Sequence, residues 1–292
     1  MMDGLVIINK EPGITSFQAV NKTKRLLHAK KAGHTGTLDP MATGVLPVLL
    51  GSYTKFADLI AEGEKEYIAH GRFGLMTDTL DITGQVTRQV DVKETNIPEE
   101  TLKTVLASFM GDIDQIPPMY SALKKDGKRL YELARAGVEI EREARPVTIY
   151  ELELLQYAFP DFKIRCRCSK GTYIRSLIRD IGDAVEVPAV MTGLVRTLSG
   201  GFTLADALDL NNIGSEDPTS RIIKAEVLFK DYPMAVLDEA FITLLKNGVK
   251  LRDARVTGTI ETDGLLRIFD RNGSFVGLAE FNGGELNLKY KV

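Results

Sequence analysis

The sequence predicts an α+β protein in two parts, a large domain over residues 1–232 and a small β-rich one over 233–292. Three observations carry this. Residues 66–73 and 162–168 alternate apolar and polar side chains with the period of a half-buried strand, while segments after 15, 98 and 173 repeat at helical spacing. Residues 116–146, bounded by Ile-Pro-Pro and Arg-Pro, carry seven basic and five acidic residues and read as an excursion from the core. After Tyr232-Pro233 the chain turns to short strand-like runs separated by glycines, and about 60 residues is a size at which an independent core is marginal. At 292 residues, 44% hydrophobic and 26% charged, the composition is that of an ordinary globular protein. It excludes collagenous, disordered and coiled-coil classes.

Residues 5–8 form an apolar run expected as a buried strand. Thr15 with Gln18 reads as a capping box, opening a helix with Phe17, Val20 and Leu27 inward. Its end is basic (Lys22, Lys24, Arg25, His28, Lys30, Lys31), with no acid among residues 22–31. Gly33 to Gly51 holds four glycines and two prolines and is expected to be a shaped loop. In 66–73, Tyr67, Ala69, Gly71 and Phe73 share one face. Pro98 starts a helix carrying Leu102, Val105, Leu106 and Phe109, stopped near Gly111. The excursion contains a short helix around 130–136. Along 162–168, Phe162, Ile164, Cys166 and Cys168 point inward and Lys163, Arg165 and Arg167 outward. Ser169-Lys170-Gly171 breaks that strand. A helix then buries Ile174, Leu177, Ile178 and Ile181, with Gly182 as its end. Residues 163–179 carry six basic side chains and no acid. Residues 211–233 are polar and irregular at first. Asp238 can cap a helix to Lys246, with Asn247-Gly248 as its stop, and strands follow at 265–269, 275–281 and 286–290.

Several function classes drop out. The net charge of −3 argues against a globally basic nucleic-acid binder, though not against local basic surfaces. Cys166 and Cys168 cannot form a disulfide framework. With His28, His34 and His70 the only histidines and no Cys/His cluster, no metal site is expected. P-loop, dinucleotide-glycine, GxSxG and HExxH patterns are absent. No apolar run approaches the roughly 20 residues of a membrane span, and the N-terminus lacks a signal-peptide pattern, so a cytosolic protein is expected.

Attention falls on Asp39, in the glycine-rich segment beside Pro40 and near His34. Its local sequence suits a helix N-cap with Pro40 as first helical residue. As a catalytic carboxylate it needs an arginine to hold it charged and aimed, lowering its pKa by about 1–3. Arg175 is the candidate, and read alone it equally fits a solvated helix face with Arg179 at i+4. Tyr67 fits core packing or a ring that stacks on a base. His34 fits a loop hydrogen-bonding role. The basic stretches 22–31, 124–145 and 163–179 fit solvated faces or, interleaved with tyrosines, an RNA surface.

Together these residues form a pattern. Gly33-His34-Thr35-Gly36-Thr37-Leu38-Asp39-Pro40, continued by Ala42-Thr43-Gly44-Val45-Leu46, closely resembles the active-site motif of the TruB family of tRNA pseudouridine synthases. Further family-like segments follow in order over about residues 4–205. They are Lys10 with Pro12-Gly13 and Thr15-Ser16; Lys65-Glu66-Tyr67, Gly74, Thr77-Asp78-Thr79, Asp81 and Gly84; Tyr120-Ser121-Ala122 with Gly127-Lys128-Arg129-Leu130-Tyr131-Glu132 and Ala134-Arg135-Ala136-Gly137; and Cys168-Ser169-Lys170-Gly171-Thr172-Tyr173-Ile174-Arg175. Two departures stand out. Leu194-Val195-Arg196 replaces the family's usual Leu-Arg-Arg, leaving Arg196 as the basic contact, and Tyr53 replaces a small residue before Thr54-Lys55.

The resemblance implies a mixed-sheet pseudouridine synthase domain with 116–146 as its thumb, and a β-barrel-like PUA-type RNA-binding domain over 233–292. It implies an isomerase that converts one uridine in the T-loop of tRNA (position 55) to pseudouridine, without metal or organic cofactor. Asp39 would act on a flipped-out nucleotide, Arg175 would keep it ionised, and Tyr67 would stack on the uracil and handle a proton. His34 would fill the space the base vacates, Tyr173 would buttress the pocket and Leu194 would wall it. Lys10 and Lys55 fit phosphate or pocket-support roles, and Arg196, Lys128 and Arg129 would contact RNA. The implied partner is the T-arm stem-loop of tRNA, with no membrane or protein partner and a monomeric chain. A non-catalytic tRNA-folding chaperone using the same surface is the rival from another class, and a guide-dependent synthase the rival enzyme.

Overall fold

The computed structural model describes residues 2–211 and 217–292. Residues 212–216, within the stretch read as irregular, lie outside the described residues. The chain enters through β1 (Gly4–Lys10), turns into α1 (Ser16–Leu26) and returns as β2 (Ala32–His34) and β3 (Thr43–Leu50). Next come α2 (Ala57–Ala61), β4 (Lys65–Phe73) and a small ribbon of β5 (Leu75–Thr77) with β6 (Val86–Gln89). α3 (Glu99–Ser108) and β7 (Gly111–Gln115) precede the excursion, which holds a hairpin of β8 (Lys124–Lys125) and β9 (Lys128–Arg129), then α4 (Leu130–Arg135). β10 (Arg145–Ala158), β11 (Asp161–Cys168), α5 (Ile174–Ala184) and β12 (Ala189–Ser199) follow, with β13 (Phe202–Thr203) and β14 (Leu208–Asp209).

Ten of these strands make one sheet, in the order β14, β1, β3, β12, β4, β11, β10, β7, with β2 on β3 and β13 on β12. The β1–β14 and β3–β12 pairs are parallel and the other pairs antiparallel, so the sheet is mixed as expected. β1 and β3 are buried on both faces. Val6, Ile8, Leu46, Val48 and Leu50 join the main core, and Leu5, Ile7, Val45 and Leu49 join a second core on the other side. That double burial explains the unbroken apolar run at 5–8. β4 and β11 bury one face only, through Tyr67, Ala69, Phe73, Phe162, Ile164, Cys166 and Cys168, which explains their alternation.

Local expectations fare unevenly. Both halves of the Thr15–Gln18 capping box form. Phe17, expected inward, is 71% exposed, because Ser16, Ala19, Val20 and Thr23 take the buried stripe of α1. The segment read as one shaped loop from 33 to 51 is a loop only over 35–42, since 43–50 is a buried strand. Gly182 does not end its helix. It lies inside α5, where a side chain would stand 2.7 Å from the Val187 carbonyl oxygen and 2.8 Å from the Ala189 Cβ, and the helix caps at Val185.

The C-terminal part follows α6 (Ala225–Leu228). β15 (Met234–Leu237), β16 (Gly264–Asp270), β17 (Phe275–Asn282) and β18 (Glu285–Lys291) form a four-stranded sheet in that order, with α7 (Glu239–Lys246) beside it. Asp238 sits at the N-cap position of α7, yet its carboxylate pairs with Arg271 and makes no cap hydrogen bond. This sheet has its own small core around Ile242, Leu245, Ile268 and Ala279. It also shares a core with the main body, where Phe275, Leu278 and Tyr290 gather with Phe56 and Phe229. The Phe56 ring centroid lies 4.9 Å from Phe229 and 5.6 Å from Tyr290. Tyr53 joins this cluster, its hydroxyl accepting the Ala225 amide at 2.8 Å. Packing against the larger body offsets the marginal size of the small sheet.

Candidate active site

Asp39 lies in the 35–42 loop between β2 and β3. No helix follows it. Residues 39–42 form a turn closed by the Ala42 amide on the Asp39 carbonyl at 3.1 Å, so the N-cap reading does not hold. The loop is anchored along its length. The Ser16 hydroxyl accepts the Leu38 amide at 2.8 Å and donates to the Leu38 carbonyl at 3.0 Å. Gly13 donates to the Pro40 carbonyl at 2.8 Å. Lys10, fully buried, donates to the Pro40 and Ala42 carbonyls at 3.1 and 2.7 Å. Leu38 and Ala42 are buried in the main core, and the Asp39 side chain between them stays part-exposed.

Arg175, in the first turn of α5, is buried rather than on a solvated face. Its Nε lies 2.8 Å from Asp39 Oδ2 and its Nη2 donates to Asp39 Oδ1 at 2.9 Å, a two-pronged pair. Nη1 donates to the Thr79 carbonyl and Nη2 also to the Tyr120 carbonyl, both at 2.9 Å. One guanidinium thus joins the Asp39 loop, the turn before β6 and the root of the excursion. A second carboxylate, Asp81, stands 4.0 Å from Nε and accepts hydrogen bonds from the Thr79 hydroxyl and from both the amide and hydroxyl of Thr83. Gly84 is needed to close this turn, since a Cβ there would fall 2.3 Å from the Thr79 hydroxyl.

Of the two carboxylates, Asp39 is the one a substrate can reach, its side chain being 28% exposed against 8% for Asp81. Burial raises the Asp39 carboxyl above the ordinary 3.8, with Arg175 pulling it back and Asp81 adding to the rise. The expected net lowering is therefore reversed: desolvation outweighs the ion pair. Burial likewise brings the Lys10 ammonium down to about 8, with Asp39 opposing.

Tyr67 on β4 and Leu194 on β12 are both nearly buried. Tyr67 lies opposite Arg196, and Leu194 opposite Ala69 two residues along, so all share one sheet face. Burial raises the Tyr67 phenol, and Arg196 opposes the rise. Tyr173 precedes Arg175 at the N-cap of α5, its amide held by the Gln115 side chain at 2.8 Å. His34 lies on the short strand β2, its Nδ1 buried without a hydrogen-bond partner and its imidazole pKa lowered by burial and by Arg196. Arg196 is itself buried beneath the loop.

Three expected site residues lie elsewhere. Lys55 is exposed and donates to the Lys291 carbonyl at 2.9 Å, at the seam with the C-terminal sheet. Lys128 and Arg129 are exposed on the excursion hairpin, whose turn places Asp126 and Gly127 at φ of 52° and 80°. Arg129 and Arg135 both lie over the Tyr131 ring, at 5.8 and 5.4 Å. Sequence reasoning assigned no role to Asp81, Gln115 or the Tyr120 carbonyl. For Asp81 a signal existed in the run of threonines and aspartates ending in Gly84, the composition of a side-chain-bonded turn.

Comparison with known proteins bears on this arrangement. Residues 24–174 match the family model described as TruB family pseudouridylate synthase, N-terminal domain. The chain is 45% identical over 279 residues to the tRNA pseudouridine synthase B of Clostridium tetani, covering 96% of each. It is 45% identical over 290 residues to that of Francisella philomiragia, covering 98% of this chain and 93% of the relative. Among solved structures it resembles one titled as a Cbf5-Nop10-Gar1 complex, with TM-score 0.68 and 26% identity over 96% of this chain and 78% of that one.

Proposed function

This chain belongs to the TruB family of pseudouridylate synthases, and we propose that it isomerises the T-loop uridine of tRNA to pseudouridine. The observation that carries the reading is the two-pronged Arg175–Asp39 pair, whose carboxylate stays part-exposed; on this reading Tyr67 and Leu194 wall the pocket that takes the base. In the reaction the C1′–N1 bond breaks, the uracil turns, and C5 bonds to C1′. The proton lost from C5 balances the one gained at N1. Asp39 supplies the negative charge that the nucleoside meets, as a nucleophile or as acceptor of a ribose proton. Arg175 fixes the direction of both carboxylate oxygens and opposes the rise in pKa that burial brings. The uridine must first leave its stack, at a cost of a few kcal/mol. Stacking on Tyr67 returns about 1–3 kcal/mol. Tyr173 braces the pocket from the start of α5, and His34 takes the place of the extruded base.

Binding is divided among the parts. The excursion at 116–146 acts as the thumb on the T-arm, with Lys128 and Arg129 on phosphates. The sheet over 233–292 serves as a PUA-type RNA-binding domain. The enzyme works as a monomer in the cytosol, without cofactor. No helix among the described residues is long and apolar enough to cross a membrane.

The test is tritium release from a T-arm transcript carrying 5-tritiated uridine. Wild type should release the label, and Asp39→Asn should release none while its tRNA affinity stays within about twofold. A wild-type protein that binds tRNA without releasing tritium would leave only a chaperone role.

A further inference from the structure

We infer that Arg196 is a positioning residue for this reaction: a buried guanidinium that pins both stems of the Asp39 loop and fixes Tyr67 from across the sheet. The inference rests on the isomerase reading above. Arg196 is 1% exposed and heads the fully buried side chains by volume. Arg175 meets two carboxylates; Arg196, among the described residues, stands within ion-pair distance of none. A buried cation without a counter-ion is costly, and oriented carbonyls are its substitute. Its Nε donates to the Val45 carbonyl at 2.8 Å and its Nη2 to the Gly36 carbonyl at 3.2 Å. Gly36 lies before Asp39 and Val45 after it, so one planar group closes the loop that presents the carboxylate.

The backbone fit is equally close. Gly44 pairs with Arg196 in parallel register and has φ of +107°, and a Cβ there would fall 2.2 Å from the Arg196 carbonyl oxygen. On the other side Arg196 pairs with Tyr67 in antiparallel register, which puts their side chains on one face at cross-strand contact distance. The charge is felt there: it opposes the burial-driven rise of the Tyr67 phenol and lowers the His34 imidazole. An RNA contact, the role the resemblance implied, needs an accessible guanidinium, and this one is covered.

Arg196→Met and Arg196→Lys test the assignment through single-turnover tritium release and tRNA affinity across a salt series. The Met variant should lose at least about 10²-fold in rate, with Kd within about twofold and an unchanged salt slope. The Lys variant, keeping the charge and one carbonyl bond, should recover part of the rate. A rate within about threefold of wild type overturns the proposal. So does weaker binding with a salt slope shallower by about one, which marks a phosphate contact. If the Met variant does not fold, the Lys variant carries the same split. Amide exchange at Leu38 and Ala42 reads the loop without reference to activity. It should quicken in Arg196→Lys, and unchanged exchange counts against the proposal even if the wild type proves inactive, an outcome that itself would tell against the isomerase reading.

Discussion

Residues 163–179 and 124–145 both read as runs of lysine and arginine, yet the fold treats their charges differently. In the first run, Arg165 meets Glu153 at 2.8 Å and Arg167 meets Glu151 at 3.1 Å; Lys170 meets Glu62, Arg175 meets Asp39, and Arg179 meets Asp180. In the second, Arg142 meets Glu139 at 3.3 Å, but Lys124, Lys128 and Arg145 have no carboxylate partner among the described residues. Lys125 reaches the Glu141 carbonyl, and Arg129 and Arg135 lie over Tyr131. The cause is placement. β11 runs beside β10 with Glu151 opposite Arg167 and Glu153 opposite Arg165, so cross-strand neighbours neutralise it. The excursion hairpin leaves the main sheet and sets basic residues opposite one another, Lys124 across from Arg129 and Lys125 across from Lys128. A basic run is a binding surface only where the fold leaves it uncompensated.

The largest effect is expected at Arg175, whose pairing is proposed to serve chemistry. Arg175→Met leaves the Asp39 charge without its partner, and turnover should fall by about 10²–10³-fold. Stability should fall by about 3 kcal/mol in urea unfolding. Activity within about tenfold of wild type would show that the pair is only structural.

The same pair sets a pH dependence. Asp39 must be ionised, and burial has raised its carboxyl above 3.8. Activity should therefore decline, as pH falls, from a point above that ordinary value. A limb at or below 3.8 in single-turnover rates would mean that Arg175 outweighs desolvation after all.

Smaller effects sharpen the contrast between the runs. Lys128→Ala with Arg129→Ala should weaken tRNA binding roughly tenfold at low salt and flatten the salt slope by about two. Arg165→Gln, from the neutralised run, should leave affinity within about twofold and stability within about 1 kcal/mol. Equal salt slopes for the two variants would erase the distinction between them.

What was legible in the sequence was local. The alternation at 66–73 and 162–168, the Thr15–Gln18 capping box and the apolar stripe of α5 each depend on neighbours a few residues away, and each appears where expected. β3 was hidden because Gly44 and Pro47 mark loops. Pro47 is tolerated because β12 pairs only at 43–44 and β2 only at 48–50, and on that side Pro47 only accepts, from the Thr35 amide at 3.3 Å. Phe17 was misplaced because helical spacing gives a stripe but not the face that meets the sheet.

The order of motifs, spread over some two hundred positions, sufficed to place Asp39, Tyr67 and Arg175 in one candidate site, because residue identity at fixed spacing is a property of the chain itself. Only the tertiary structure decided that Arg175 grips both Asp39 oxygens, that Asp81 stands behind them, and that Arg196 is sealed beneath the loop while Lys128 remains outside. Those outcomes turn on distance and desolvation between segments more than a hundred residues apart. Coulomb energy and burial are set by where groups finally sit, and no local pattern records that.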